Sequence, residues 1–343
     1  MRDLPGLGGQ RRVRTALALL CAVSAVTLGA IVEVGSGESA VSCAAWASPR
    51  GSDANPGTRA RPYRRVGRLA ASLKPGQRGC LEPGATFDER IVLHVSGAPH
   101  APVTIASGPG PRAILAQGIE LASSARYVHL ESLTVRARKG TPSEVATVVL
   151  RGYAVYMSGS DVTAGGGVDV PRTCILLDHA GGAVIEHNTI HHCGVGQNYA
   201  SGITANISVN ARITDNTVYA NPGDGVALAP NAQRSLITRN LLVENEAGVY
   251  FGGAAKYASR DNRITRNVVS ESRRFAVHGS YKQGAPVGSG NLVLDNCVWR
   301  TARMGGTGYT AARNLVVDPR VVPVARGYRL APGSPCKRYH AGG

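Results

Sequence analysis

Short segments in which apolar and polar residues alternate dominate the chain, and many of them run into an asparagine. In "SLITRNLLVEN" (235–245) the apolar positions alternate up to Asn240 and resume after it. Two-residue alternation is typical of a strand with one buried face, because successive side chains point to opposite faces of a sheet. The pattern therefore predicts short strands that are separated by asparagine corners.

The same segment recurs along the second half of the chain. Its copies are "VIEHNTI" (184–190), "RITDNTV" (212–218), "LITRNLL" (236–242), "RITRNVV" (263–269), "LVLDNCV" (292–298) and a degenerate "AARNLVV" (311–317). A second phrase alternates with it: "SGITA" at 201, "DGVAL" at 224, "AGVYF" at 247 and "FAVHG" at 275. The asparagines recur every 24 to 29 residues, a period that marks a solenoid. Short strands at this period predict an all-β parallel β-helix.

The repeated asparagines have a structural explanation. Asparagine tolerates left-handed backbone better than other non-glycine residues, so we expect it to occupy the corner between two strands. Its amide can also hydrogen-bond to the asparagine one coil away, and coils lie about 4.8 Å apart. We therefore expect a buried ladder formed by Asn188, Asn216, Asn240, Asn267 and Asn296.

The two ends of the repeat region carry capping signals. The segment "PYRRVGRLAASL" places Val66, Leu69, Ala70 and Leu73 at helical spacing, which predicts a short amphipathic helix over the first coil. The repeats, this flank and the closing "NLVVDPRVVPVARGYRLAPGSPC" (314–336) resemble the right-handed parallel β-helix of the pectate-lyase-like superfamily. The resemblance implies a right-handed solenoid from 43 to 338, followed by a C-terminal tail at 339–343. It does not name a reaction, because one fold supports many functions.

The N-terminal 42 residues resemble an export signal. "RRVR" (11–14) precedes an uncharged run from Thr15 to Val32, and small residues follow up to Cys43. This order predicts a signal peptide and a secreted protein. An uncleaved membrane anchor and a lipid on Cys43 are the alternatives.

The cysteine pattern also favours export. Six cysteines follow the N-terminal segment, and they show no metal-type spacing. They allow 15 pairings, and sequence order favours the local set. We expect three disulfides, which join Cys43 to Cys80, Cys174 to Cys193 and Cys297 to Cys336.

Composition and charge restrict the class of molecule that we expect the protein to bind. The chain has 43 Gly and only 3 Phe, which suits many short strands and turns. Its net charge is +16, so an anionic partner is favoured. Nucleic-acid motifs are missing, so we expect an anionic polysaccharide or a cell-envelope polymer as partner of a monomeric protein.

The second phrase of the repeat contains the candidate site. If Ile203, Val226, Val249 and Val277 point inward, the neighbouring positions form an outward column of Thr204, Ala227, Tyr250 and His278. The loops that follow carry Lys256, Tyr281 and Lys282. We expect His278, Lys256, Tyr250 and Lys282 to be catalytic, and Thr204, Asp224 and Tyr281 to bind substrate.

These residue types predict one kind of chemistry over its rivals. Neither Asp178 nor Asp224 has an evident carboxylate partner, which disfavours a glycosidase with two carboxyl groups. Three carboxylates for Ca²⁺ are not evident either, so no cofactor is expected, and Ca²⁺ stays the alternative. The sequence favours a metal-independent lyase that acts on an acidic polysaccharide. The alternative is a noncatalytic carbohydrate-binding or envelope protein.

Overall fold

The computed structural model describes residues 42–137, 146–164, 173–193, 200–301 and 303–340. The expected signal segment lies outside the described residues, apart from Ser42. None of the helices in these ranges is long and apolar enough to cross a membrane.

The described elements are mostly very short strands. In chain order they begin with β1 (Ala45–Ala47), α1 (Val66–Ser72), β2 (Arg78–Leu81), β3 (Thr86–Phe87), β4 (Ile91–Leu93), β5 (Val103–Ser107), β6 (Ile114–Leu115), β7 (Ile119–Leu121), β8 (Val128–Glu131), β9 (Thr134–Arg136) and β10 (Ala146–Leu150). They continue with β11 (Tyr156–Ser158), β12 (Asp161–Thr163), β13 (Thr173–Asp178), β14 (Val184–Glu186), β15 (Thr189–His191), β16 (Ile203–Asn206), β17 (Arg212–Thr214), β18 (Thr217–Tyr219), β19 (Val226–Leu228), β20 (Leu236–Thr238), β21 (Leu241–Val243) and β22 (Ala247–Ala254). They end with β23 (Tyr257–Ala258), β24 (Arg263–Thr265), β25 (Val268–Ser270), β26 (Phe275–Tyr281), β27 (Leu292–Leu294), β28 (Cys297–Trp299), β29 (Met304–Gly306), β30 (Thr310–Ala312), β31 (Leu315–Val316), β32 (Val321–Val324), β33 (Gly327–Leu330) and a 3₁₀ turn at Lys337–Tyr339.

The strands form three long parallel sheets in the described ranges. Sheet A has the order β1-β2-β5-β8-β11-β14-β17-β20-β24-β27-β30, and sheet B has the order β3-β6-β9-β12-β15-β18-β21-β25-β28-β31. Sheet C has the order β29-β26-β22-β19-β16-β13-β10-β7-β4, with β23 paired antiparallel to β22. The chain visits A, B and C in turn and then starts the next coil, which is the predicted parallel β-helix.

The core is a stack of aliphatic side chains in register. Ile185, Ile213, Ile237 and Ile264 pair coil by coil in sheet A, and none of them is exposed. Equivalent residues of successive coils stay level because the strands are parallel and in register. The alternation read from the sequence therefore becomes three aliphatic walls around one core.

The asparagine ladder is confirmed. Asn240 Nδ2 donates to Asn267 Oδ1 (2.9 Å), and Asn216 Nδ2 donates in turn to Asn240 Oδ1 (3.0 Å). All five expected asparagines are buried, and Asn314 extends the ladder by one coil. A second ladder joins Asn221 to Asn245 (2.8 Å) at the turn between sheets B and C.

The sequence analysis placed the left-handed backbone at the asparagines, and that position is wrong by one residue. The positive φ belongs to the preceding residue in each copy, for example 54° at Asp215, 59° at Arg239 and 57° at Arg266. Arg239 and Arg266 are exposed, whereas the side chain of Asp215 is only 9% exposed and pairs with Arg239. The asparagine that follows directs its amide along the stack.

The N-terminal end is closed by the helix that the sequence predicted. Val66, Leu69 and Ala70 are buried on one face of α1, which contacts β1, β2 and β4. The three disulfides have the expected pairing, so Cys43 is bonded to Cys80. Of the expected tail, Tyr339 and His340 are buried, and residues 341–343 lie outside the described ranges. The domain limits of 43 and 338 stay a prediction.

Candidate functional site

The outer face of sheet C presents the column that the sequence predicted. Val226 pairs with Val249, and Val249 pairs with Val277, all of them in the core. The neighbouring positions Ala227, Tyr250 and His278 pair in the same register on the outer face. The inward and outward assignment is confirmed.

A groove of about 980 Å³ runs over this face. Its lining includes six of the seven residues expected at the site: Thr204, Asp224, Tyr250, His278, Tyr281 and Lys282. It also includes residues that the sequence analysis did not select, among them Ser201, Glu246, Arg273, Arg274 and Phe275. The lining comes from five successive coils, those of β13, β16, β19, β22 and β26, which meet in one open cavity.

Lys256 is the expected residue that does not line the groove. It lies at the turn between β22 and β23, and its Nζ is 5.5 Å from the ring centroid of Tyr257. The antiparallel return of β23 gives the turn its own local structure, which strand alternation did not reveal. The catalytic assignment of Lys256 stays an untested prediction.

His278 is held as a neutral imidazole. Its ring stacks on Phe275 with centroids 4.2 Å apart and planes at 12°. Burial, together with the positive charges of Arg274 and Arg303, lowers the pKa of His278, and Glu246 opposes that shift. A neutral imidazole in a groove has a ring nitrogen that can accept a proton.

The two tyrosines have different surroundings. Tyr250 is half-buried, and its hydroxyl donates to the carbonyl of Ser280 at 2.9 Å. The hydroxyl of Tyr281 is buried near Gly288, and burial raises the pKa of that phenol. Both side chains line the groove, where aromatic rings can pack on the apolar face of a sugar.

A pair of acids in the groove escaped the sequence analysis. Asp224 precedes β19 and Glu246 precedes β22, so they lie on adjacent coils beside the second asparagine ladder. Burial, followed by the charge of Glu246, raises the pKa of Asp224 to about 7. The expectation that Asp224 lacks a carboxylate partner is therefore wrong. Glu246 is shifted by one position within its repeat, which hid the pair from a simple alignment.

Two arginines from the next coil complete this side of the groove. Arg274 Nη1 lies 3.1 Å from Glu246 Oε1, and Arg273 Nε lies 3.6 Å from Glu246 Oε2. Arg273 also donates to the carbonyl of Asn221 at 2.5 Å, so it reaches back across two coils. Glu246 therefore pairs with two guanidinium groups from the next coil.

The other acid that the sequence singled out is occupied by structural contacts. Asp178 pairs with Arg151 at 3.0 Å and accepts a hydrogen bond from Asn206 at 2.9 Å. Arg151, His179 and Asn206 outweigh the effect of burial, so the pKa of Asp178 is lowered. Asp178 is therefore occupied by structural contacts at the end of β13.

Among the described residues, no group of three or more His, Cys, Asp or Glu side chains is arranged to hold a metal ion. His191, from the doublet next to Cys193, instead contacts Asp161 at 3.1 Å and stacks on Tyr219 at 4.9 Å. These contacts belong to the outer face of sheet B, away from the groove on sheet C.

Comparison with known proteins supports the architecture. Residues 148–317 match the family model described as "Right handed beta helix region". No curated protein sequence matches the chain. Structural similarity is nevertheless extensive.

The similar structures include enzymes named for polysaccharides. Pectate lyase Pel9A has a TM-score of 0.59 and 13% identity, covering 86% of this chain and 91% of that one. An alginate lyase from Paenibacillus sp. str. FPU-7 has a TM-score of 0.52 and 13% identity, covering 72% and 96%. XylC in complex with xylose has a TM-score of 0.56 and 10% identity, covering 83% and 73%. At such identities the likeness shows the fold alone.

Proposed function

We propose that this right-handed parallel β-helix protein, whose structural neighbours are pectate-lyase-like, is a metal-independent lyase that cleaves an acidic polysaccharide on sheet C. The observation that carries the proposal is the groove itself, in which neutral His278 lies among the cations Lys282, Arg273 and Arg274. The lyases among the structural neighbours support a polysaccharide as substrate. The three disulfides support an extracellular location.

The reaction is a β-elimination within a 4-linked uronate. A base removes the proton on C5, beside the carboxylate, the C4–O4 bond breaks, and a C4–C5 double bond forms. The difficult step is the removal of a proton next to an anion, because negative charge accumulates there. Cations at the carboxylate and a base at C5 are therefore the groups that the reaction needs.

The groove offers a residue for each of these tasks. Lys282 is exposed at the lining and binds the uronate carboxylate. His278 accepts the C5 proton, since its pKa is lowered and it is neutral near pH 7. Tyr250 packs on the sugar ring, while Thr204 and Tyr281 contact neighbouring sugars along the groove.

The test is an activity screen on polyuronates, read by the ultraviolet absorbance of unsaturated products. We expect His278→Ala to lower kcat/KM by about 10²- to 10⁴-fold without changing the melting temperature. His94→Ala is the matched control, because His94 is exposed and does not line the groove. Equal activity of wild type and His278→Ala would contradict the assignment of the base.

The noncatalytic alternative has a separate signature in the same experiment. A protein that binds polyuronate tightly, with no unsaturated product and no new reducing ends, is a carbohydrate-binding protein. New reducing ends without ultraviolet absorbance would instead indicate hydrolysis.

A further inference from the structure

Asp224 is the acidic residue of the groove whose surroundings shift its pKa most. Asp224 lies in the turn before β19, between Ser201 on the previous coil and Ala247 on the next. Burial, followed by the charge of Glu246, raises its pKa to about 7, and the backbone N–H of Ala247 opposes that shift. A substantial fraction of Asp224 therefore carries a proton at neutral pH.

After burial, Glu246 is the second cause of the raised pKa of Asp224. Arg273 and Arg274 both pair with Glu246, whose side chain is one-third exposed. Glu246 also acts on the pKa of His278, so it is close to both titrating groups. The charged groups that line the groove with Asp224 are Glu246 from the next coil and Arg273, Arg274 and Lys282 from the coil after it. The other titratable lining residues are Tyr250, His278 and Tyr281.

We propose that Asp224 is the proton donor to the departing glycosidic oxygen, that Glu246 is its positioning partner, and that the substrate is a 4-linked glucuronate or mannuronate polymer. The inference rests on the proposed lyase function. It changes the role of Asp224 from the expected substrate contact to a catalytic acid.

The elimination step balances without water. His278 takes the proton from C5, the electron pair of that C–H bond forms the C4–C5 double bond, and the C4–O4 pair leaves with O4. Asp224 donates its proton to O4, which becomes the hydroxyl of the released chain. His278 and Asp224 then return to their starting states by proton exchange with solvent.

The side of the sugar ring from which the acid and the base act determines which uronate can be cleaved. His278 lies on the outer face of sheet C, Asp224 lies in the turn before β19, and both line the same groove, so we take them to reach the sugar ring from the same side. The C5 proton and O4 lie on one side of the ring in glucuronate and mannuronate, and on opposite sides in galacturonate and guluronate. Acid and base on one face therefore fit a syn elimination of the first two.

The first test compares polymers and removes the acid. We expect wild type to release unsaturated product from β-1,4-linked polyglucuronate or polymannuronate faster than from polygalacturonate. We expect Asp224→Asn, which has the same shape, to lower kcat on the preferred polymer by about 10²- to 10⁴-fold. Asp318→Asn, at an exposed site outside the groove, is the control and should keep wild-type activity.

A substrate with a better leaving group separates acid catalysis from a structural role. On a uronate whose O4 carries a nitrophenyl group, nitrophenolate departs without being protonated. Asp224→Asn should then be within about tenfold of wild type, while His278→Ala should still be inactive. An Asp224→Asn variant that is equally impaired on both substrates would overturn the proton-donor role.

The positioning role of Glu246 is tested by the pH profile. Without the charge of Glu246 the pKa of Asp224 falls, so Glu246→Gln should move the alkaline limb of kcat/KM to lower pH. Glu271→Gln is closely matched, because Glu271 also pairs with an arginine at 3.1 Å but does not line the groove. An unchanged alkaline limb in Glu246→Gln would overturn this part.

The outcomes distinguish this inference from the proposed function. If wild type releases no unsaturated product from any polyuronate, the lyase function itself is wrong. If it cleaves the polymers but Asp224→Asn is fully active, only the acid assignment fails. If it prefers polygalacturonate, the same-face geometry is wrong while the lyase function stands.

Discussion

The side-chain amide of a single asparagine joins three coils of this protein. Asn240 Nδ2 donates to the carbonyls of Ile213 and Thr238 and to Asn267 Oδ1, and its own Oδ1 accepts from the backbone N–H and the side chain of Asn216. Asn240 is fully buried, so removal of the amide deletes these five hydrogen bonds from the protein interior. The close spacing of the coils therefore depends on having an asparagine at position 240.

We expect Asn240→Ala to reduce the free energy of unfolding by about 3 to 5 kcal/mol, because several buried donors and acceptors lose their partners. Urea denaturation followed by circular dichroism measures this change. Asn314→Ala is the matched comparison, since Asn314 ends the ladder and is only partly buried. Equal losses for the two variants would argue against a cooperative ladder.

The arrangement of acids depends on the same kind of residue. The ladder from Asn221 to Asn245 keeps the turns between sheets B and C level, so Asp224 and Glu246 meet across adjacent coils. Arg273 reinforces that alignment through the carbonyl of Asn221. The structural amide of Asn221 and the carboxyl of Asp224 are therefore neighbours because the same turn recurs from coil to coil.

At the scale of elements, the C-terminal hairpin covers part of sheet B. Strands β32 and β33 pair antiparallel, and Tyr328 of β33 packs edge-on against Tyr219 of β18 at 5.3 Å. The disulfide between Cys297 and Cys336 joins the segment after the hairpin to β28. The hairpin lies on a different sheet from the groove, so its attachment and the site are separable.

We expect the double variant Cys297→Ser/Cys336→Ser to lower the free energy of unfolding by about 2 to 4 kcal/mol, since the bond closes a long loop in the unfolded chain. Hydrogen exchange should increase first at β32 and β33. Because the groove on sheet C does not touch this disulfide, residual cleavage activity at 25 °C should match wild type. Faster exchange at β22 or β26 would contradict that independence.

At the scale of the whole molecule, the positive net charge favours an anionic partner. The net charge is +16, and many arginines of the described residues already pair with acids on neighbouring coils, as Arg239 does with Asp215 at 2.9 Å and Arg313 with Asp295 at 2.9 Å. Exposed pairs of this kind contribute little stability. The remaining excess of positive charge is a long-range attraction for an anionic polymer.

We expect the affinity of the His278→Ala variant for a polyuronate to fall by at least tenfold as NaCl rises from about 50 to about 500 mM, because salt screens exposed charges. Calorimetry or affinity electrophoresis measures the effect. A neutral β-1,4-linked glucan of equal length is the control polymer and should bind weakly at both concentrations. Salt-independent binding would show that sugar stacking, and not charge, dominates recognition.

Local patterns were sufficient for most of the architecture. The period of the asparagines predicted the coils, the two-residue alternation placed Val249 and Val277 in the core, and the same alternation put Tyr250 and His278 on the outer face. These features depend on near neighbours in the chain and on a repeat that copies them, so a one-dimensional pattern contains them. The pairing of Cys174 with Cys193, about one coil apart, follows the same logic.

Contacts between coils, in contrast, depended on where each turn places its side chains. Glu246 is one position out of step with the repeat, yet it lies on the coil next to Asp224. Burial, followed by the charge of Glu246, raises the pKa of Asp224 to about 7. Lys256 has a favourable position in the sequence, but the antiparallel pairing of β22 and β23 leaves it outside the groove lining. A sequence repeat predicts the backbone of each coil. The directions of the side chains in the turns are set by packing against the next coil, so the repeat does not predict them.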